Sequence, residues 1–129
     1  MFHIQTYPRL KLLRGKLTGF LTLEEFTAYV ATAHQSVAEM GCNSGDWFHA
    51  CDISGMMLQS QTVAEACSKF LNHPAQRSRR LALITGTSPV RMQVRRLMTR
   101  SDAAIFETPR EADLWLLAPF DQRLSASAA

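Results

Sequence analysis

Apolar positions along this chain follow two periods, and the periods alternate. "FHIQT", from Phe2 to Thr6, alternates apolar and polar residues as a short edge strand does, and Pro8 breaks it. "LKLL", from Leu10 to Leu13, is a second strand candidate, with Gly15 and Gly19 expected to turn the chain behind it. The period then lengthens. Phe26, Val30, Ala33, Val37 and Met40 recur at helical spacing. Thr22 and Glu25 make a capping box at the start of that helix, and Gly41 supplies its stop. "WFHAC", Trp47 to Cys51, is short and largely apolar, which predicts an interior strand.

The alternation continues to the end of the chain. Thr62 and Glu65 form a second capping-box pattern, opening a helix with Val63, Ala66, Cys67, Phe70 and Leu71 on one face and Pro74 as its stop. "LALIT", Leu81 to Thr85, reads as a buried strand, and Gly86 turns the chain. Ser88 followed by Pro89 predicts an N-cap with proline in the first helical position. The helix from there to about Thr99 carries Val90, Val94, Leu97 and Met98 on one face and Arg91, Arg95 and Arg100 on the other. "AAIF", Ala103 to Phe106, is a further strand. Thr108, Pro109 and Glu111 start a last helix with Ala112, Trp115 and Leu116 inward. The tail "RLSASAA" is small and polar and is expected to be flexible.

The predicted order is ββαβαβαβα. Strands that alternate with helices imply an α/β fold, a mostly parallel mixed sheet of four to five strands covered by about four helices. No repeat or linker interrupts it, so residues 1–118 are expected to form one layered domain, with 119–129 as its tail. A length of 129 residues and a hydrophobic fraction of 47% suit a single packed core. The three cysteines form no CxxC pair, which favours reduced thiols in a cytoplasmic protein over disulfides or a zinc knuckle. "MFHIQTYPRL" lacks a signal-peptide apolar region, and no apolar run approaches the ~20 residues of a membrane span.

Charge changes the picture. The net charge of +3 is unevenly spread, because residues 66–101 hold Lys69 and seven arginines without an acid, while the rest is net acidic. Such a block can attract nucleic acid, anionic lipid or an acidic protein, or else is a solvated face partly balanced by acids elsewhere in the fold. No specific nucleic-acid motif accompanies it.

Several stretches resemble a known family. "GFLTLEEFTAY", the acid-ended strand "FHACDIS", "RRLALITG" with its following helix, and "AAIFETPREADLWL" are similar to STAS domains, the anti-sigma-factor-antagonist fold. The nearest likeness is to the SpoIIAA-like branch, whose final strand and helix have the pattern found here as Phe106, Glu107, Glu111, Ala112, Trp115 and Leu116. The resemblance runs from Phe2 to about Leu117 and implies a STAS-like fold and a non-enzymatic regulatory or protein-interaction module. It also implies a serine phosphorylated by a partner kinase, in an Asp-Ser-Ser-Gly turn. "DISG" supplies the letters at Asp52, Ser54 and Gly55, with Ile53 where a serine is expected, whereas Ser60 has the position just before a helix.

Three groups of residues carry candidate chemistry. The first is the stretch "DISGMMLQSQ", expected as a partner- or ligand-facing edge. There Asp52 ties a turn, Gly55 permits it, Met56, Met57 and Leu58 offer apolar contact, and Ser60 accepts phosphate. The second is an anion site before the third helix, formed by Thr87 and Ser88 with Arg91 and Arg95. The third is His49 with Cys51, which share a strand face and would be a thiol–imidazole pair beside Asp52. Alternate strand residues sit side by side in any core, and core packing is the better account of the pair, so no catalytic residue, metal or cofactor is expected. The expected partner is a protein or a small apolar or lipid ligand, with homodimerisation and peripheral contact with an anionic membrane as further options.

Overall fold

Every parallel crossover in this chain steps the same way along the sheet. The computed structural model describes residues 1–72, 78–87, 89–98 and 100–118. Its strands are β1 (Phe2–Tyr7), β2 (Leu12–Gly19), β3 (Phe48–Met56), β4 (Arg80–Ile84) and β5 (Ala103–Phe106). Its helices are α1 (Leu23–Glu39), α2 (Gln61–Asn72), α3 (Val90–Leu97) and α4 (Pro109–Leu116). The strands lie in the order β1-β2-β3-β4-β5, with β1 antiparallel to β2 and all other pairs parallel. Right-handed crossovers that never reverse direction place α1, α2 and α3 on one face. The core follows suit. Residues of α1, α2 and α3 pack on Leu17, Cys51, Ile53, Leu81 and Leu83, while α4 covers Leu12, Phe48, Ala50, Ala82 and Ile84 on the other face.

This is the α/β architecture and element order that the sequence predicts. Its helix starts are partly as expected. Thr22 and Glu25 form a reciprocal capping box, and Thr108 Oγ1 accepts from the Glu111 amide. At α2 the expectation fails. Ser60, not Thr62, is the cap: its Oγ accepts from the Val63 amide at 3.2 Å, while Thr62 and Glu65 lie within the helix. Proline-terminated and serine-capped ends expected at Pro74 and Ser88, the helix end near Thr99 and the tail 119–129 lie outside the described residues.

The strands differ more from their sequence signal. Leu10 belongs to a single 3₁₀ turn, Pro8–Leu10, and β2 continues straight through Gly15. Gly15 is therefore no turn; it pairs with Ile4 and Cys51 in mid-sheet. β3 likewise runs on past Cys51 to Met56, so "DISG" is strand, not turn. One extra residue is inserted in β3 where the register passes from Lys16–Asp52 to Thr18–Gly55, a bulge that re-aims the strand's end. Through it Met56 turns inward and packs in the core at 7% exposure, which overturns its expected role as an outward contact. Arg100 is also displaced from expectation. It follows α3 instead of lying on its basic face, and its side chain is 4% exposed. Its guanidinium meets Asp102 at 2.8 Å and donates to the Ser78 and Leu71 carbonyls, tying the end of α2 to the approaches of β4 and β5.

Candidate functional site

An unreversed strand order leaves no switch point, the feature that opens a crevice at the carboxyl edge of doubly wound sheets. A void among the described residues lies instead between the sheet and its three-helix layer. It is a cavity of about 60 Å³ lined from the sheet by Leu17, His49, Cys51, Ile53 and Leu83. Helices α1 and α2 supply Phe26, Tyr29, Cys67 and Phe70, and α3 supplies Val90, Gln93, Val94 and Leu97. Cys67, Phe70, Leu71, Val94 and Leu97 are only half-buried, so the cavity approaches the surface between α2 and α3. Val90 is the buried residue of α3, and the rest of that helix's inward stripe stands over the cavity. The lining contains no charged side chain.

A small polar cluster forms the floor. Tyr29 reaches down from α1 because Gly15 leaves room. A Cβ on Gly15 would collide with the tyrosine oxygen and ring. In that notch the Tyr29 hydroxyl is 2.9 Å from His49 Nε2 and 3.6 Å from Cys51 Sγ. His49 is further enclosed by the rings of Trp47 and Phe70. Burial, then the positive charge of Arg100, lowers the His49 pKa to about 3, so its ring is neutral. Burial pushes Cys51 up to about 12 and Cys67 likewise to about 12, and it holds Tyr29 well above its ordinary value. Both thiols are therefore protonated at neutral pH, unlike the thiolates that act as nucleophiles.

His49 and Cys51 share a face, as their spacing predicts, but Tyr29 bridges them. Asp52 belongs to the opposite face of β3 and cannot complete a triad with them. Its carboxylate instead accepts from the Ser54 amide at 3.0 Å and the Ser54 hydroxyl at 2.6 Å. Ser54 and Gly55 are exposed on the strand.

The segment beyond β3 does form an exposed apolar edge. Met57 is 63% and Leu58 56% exposed, and Phe20 and Met92 are exposed as well. The Met57 amide donates to Gly19 at 3.1 Å, which brings this loop beside Phe20. Gln59 locks the arrangement. It accepts from the Leu21 amide at 2.9 Å, donates to the Gly19 and Met57 carbonyls, and exchanges two hydrogen bonds with Gln93 of α3. The next residue, Ser60, has its hydroxyl in the cap of α2.

The expected anion site is less assembled. Thr87 is exposed in the turn at Gly86, Ser88 lies outside the described residues, and Arg91 is paired with Glu107 at 3.1 Å. Arg95 is exposed on the outer face of α3 with Arg96 beside it. Four residues of the site carry weak sequence signals: Gly15, Tyr29, Gln59 and Gln93. Tyr29 was discoverable, since Phe26, Tyr29, Ala33 and Val37 continue one helical stripe as well as Val30 does.

No family model matches the chain, and a search of curated proteins gives no match. Among solved structures, the chain is similar to an uncharacterized protein from the DUF3478 family with a SpoIIAA-like fold, from Shewanella loihica PV-4. The two share 22% identity with a TM-score of 0.65, over 90% of this chain and 92% of the other. It is a likeness of fold.

Proposed function

We propose that this chain, a SpoIIAA-like α/β domain, is a non-catalytic binding module that takes a small apolar ligand between its sheet and α3. The carrying observation is the cavity: apolar, free of charged side chains, and bordered by half-buried residues of α2 and α3. Ligand sites combine such a lining with a few convergent polar groups. The neutral His49 and the protonated thiols suit binding and not bond-making. The exposed Phe20, Met57, Leu58 and Met92, near Arg95 and Arg96, would bring the module to an anionic membrane from which such a ligand is drawn.

The test is a displacement titration with an apolar fluorescent dye on wild type and on Val94→Phe, which fills the cavity. Wild type is expected to bind and release dye to apolar competitors, with Val94→Phe at least tenfold weaker. Equal affinity in the two proteins would move the binding elsewhere.

A second reading, regulated protein interaction, is favoured by one observation: Ser60 occupies the N-cap of α2 beside the exposed Met57–Leu58 edge. A phosphate there would face free helix amides and add about −1.5 to −2 charges to the edge. Phosphopeptide mapping decides it, with phosphate at Ser60 expected. Its absence, together with a Ser60→Asp variant that binds a captured partner like wild type, would remove this reading.

A further inference from the structure

One edge of the sheet lacks the guards that exposed edges normally carry, which are charged side chains, proline, a bulge or shortness. β5, at one end of the strand order, has four residues and stands between Asp102 and Glu107. β1, at the other end, has six residues, with no acid, lysine, arginine or proline and no shift of register against β2. The ladder fixes what this edge offers. The Met1 amine donates to the Thr18 carbonyl, and the Thr18 amide donates to the Met1 carbonyl at 2.9 Å. Bonded and non-bonded pairs alternate along an antiparallel ladder. His3, Gln5 and Tyr7 therefore bond to β2, while Phe2, Ile4 and Thr6 turn their amides and carbonyls outward.

We propose that β1 pairs antiparallel with β1 of a second copy of this chain, about a twofold axis at Ile4, so that two sheets join into one. A centre at Ile4 uses all three outward residues: Ile4 faces its own counterpart, and Phe2 faces the counterpart of Thr6. His3 then stands opposite the counterpart of Gln5 on the exposed face, and no like charges meet. Helix α1 suits the same axis. It packs over β1 and β2, with Phe2 against Tyr29 and Ile4 beside Ala33 and Val37. Strands about 4.8 Å apart would set two such helices about 10 Å apart, a helix-packing distance. His34 meets Phe70 on the α2 side of α1, and Glu25 meets the Met1 amine on the β1 side. Helical spacing puts Ala28 and Thr32 on that β1 side, where both are exposed and short. Thr32 Oγ1 is folded onto the Ala28 carbonyl at 2.9 Å, which leaves room for close approach. Any extended segment can bond to an open edge. This edge fits itself, because backbone parity, side-chain pairing and helix spacing agree on one axis.

Sedimentation of the full chain over a concentration series tests the pairing. Wild type is expected to dimerise at micromolar concentration, and the amides of Phe2, Ile4 and Thr6 should exchange more slowly as dimer accumulates. His3→Glu with Gln5→Glu sets like charges opposite each other twice and should weaken the dimer about tenfold or more. Both positions lie opposite Lys16 and Arg14 of β2, so the glutamates do not oppose the fold of the single chain. His3→Lys with Gln5→Glu sets opposite charges across the axis and should restore the dimer. A wild type that stays monomeric would overturn the proposal and leave the edge to an extended segment of another protein. Equal dimer strength in the two variants, or a dimer in which those three amides still exchange fast, would place the interface elsewhere and overturn it as well.

Discussion

Gly15 shows how a single missing side chain organises the site. Its backbone is ordinary strand, but a Cβ would collide with the Tyr29 ring and oxygen. Gly15→Ala should therefore cost about 1–3 kcal/mol in chemical denaturation, the range for overpacking. In a Tyr29→Phe background the same change should cost less, because the nearest colliding atom is gone; additive losses in the cycle would show that the notch does not matter. The sequence offers Gly15 as a turn, since a glycine behind a short apolar run is the commoner use of that residue. Its real role depends on a helix residue that arrives from elsewhere in the chain, which no local pattern contains. His49 carries a second residue-level prediction. Its folded pKa of about 3 lies below the unfolded value near 6.5, so the unfolded state binds more protons between them. Stability is then full above about pH 6.5 and declines as pH falls towards 3. The contribution of this one group between pH 7 and pH 4 is about 3 kcal/mol. His49→Phe should flatten that part of the denaturation profile, and an unchanged slope would contradict the buried neutral ring.

Elements differ in how openly the sequence announces them. α1 and α4 are legible because their caps and stripes are local: Thr22 with Glu25, and Thr108 with Glu111, bond within one turn. α2 misleads because two hydroxyls, Ser60 and Thr62, both stand near its start, and only the chain path after β3 decides between them. Ser60→Ala should cost about 1 kcal/mol, as loss of an N-cap does, while Thr62→Ala should stay within about 0.5 kcal/mol. Equal losses would restore the sequence-based assignment. β3 misleads for another reason. Asp52, Ser54 and Gly55 are turn-formers by type, yet pairing with Lys16 and Thr18 holds them extended through a bulge. The inward position of Met56 depends on that bulge.

At the scale of the whole molecule, the basic block of the sequence divides into two kinds of arginine. Arg80 lies 4.9 Å over the Trp115 ring, Arg91 pairs with Glu107, and Arg100 is buried against Asp102. Arg95 and Arg96 remain on the surface of α3. The linear count could not separate these, because acids at 102 and 107 become partners only after β5 forms. Reversal of both surface charges, Arg95→Glu with Arg96→Glu, should weaken binding to anionic vesicles about tenfold or more, at roughly 1 kcal/mol per basic residue, and the wild-type affinity should fall with added salt. Vesicle binding unchanged by reversal would leave those arginines as a solvated face. The order of elements along the chain was legible from alternation alone, but the cavity was not, since it is the space left where α3 stands over the sheet. That space is the central claim, and intermolecular NOEs between toluene and the protein's methyl groups measure it most directly. The account predicts contacts to Leu17, Leu83, Val90 and Val94; contacts confined to exposed Leu58, Met57 and Met92 would contradict it.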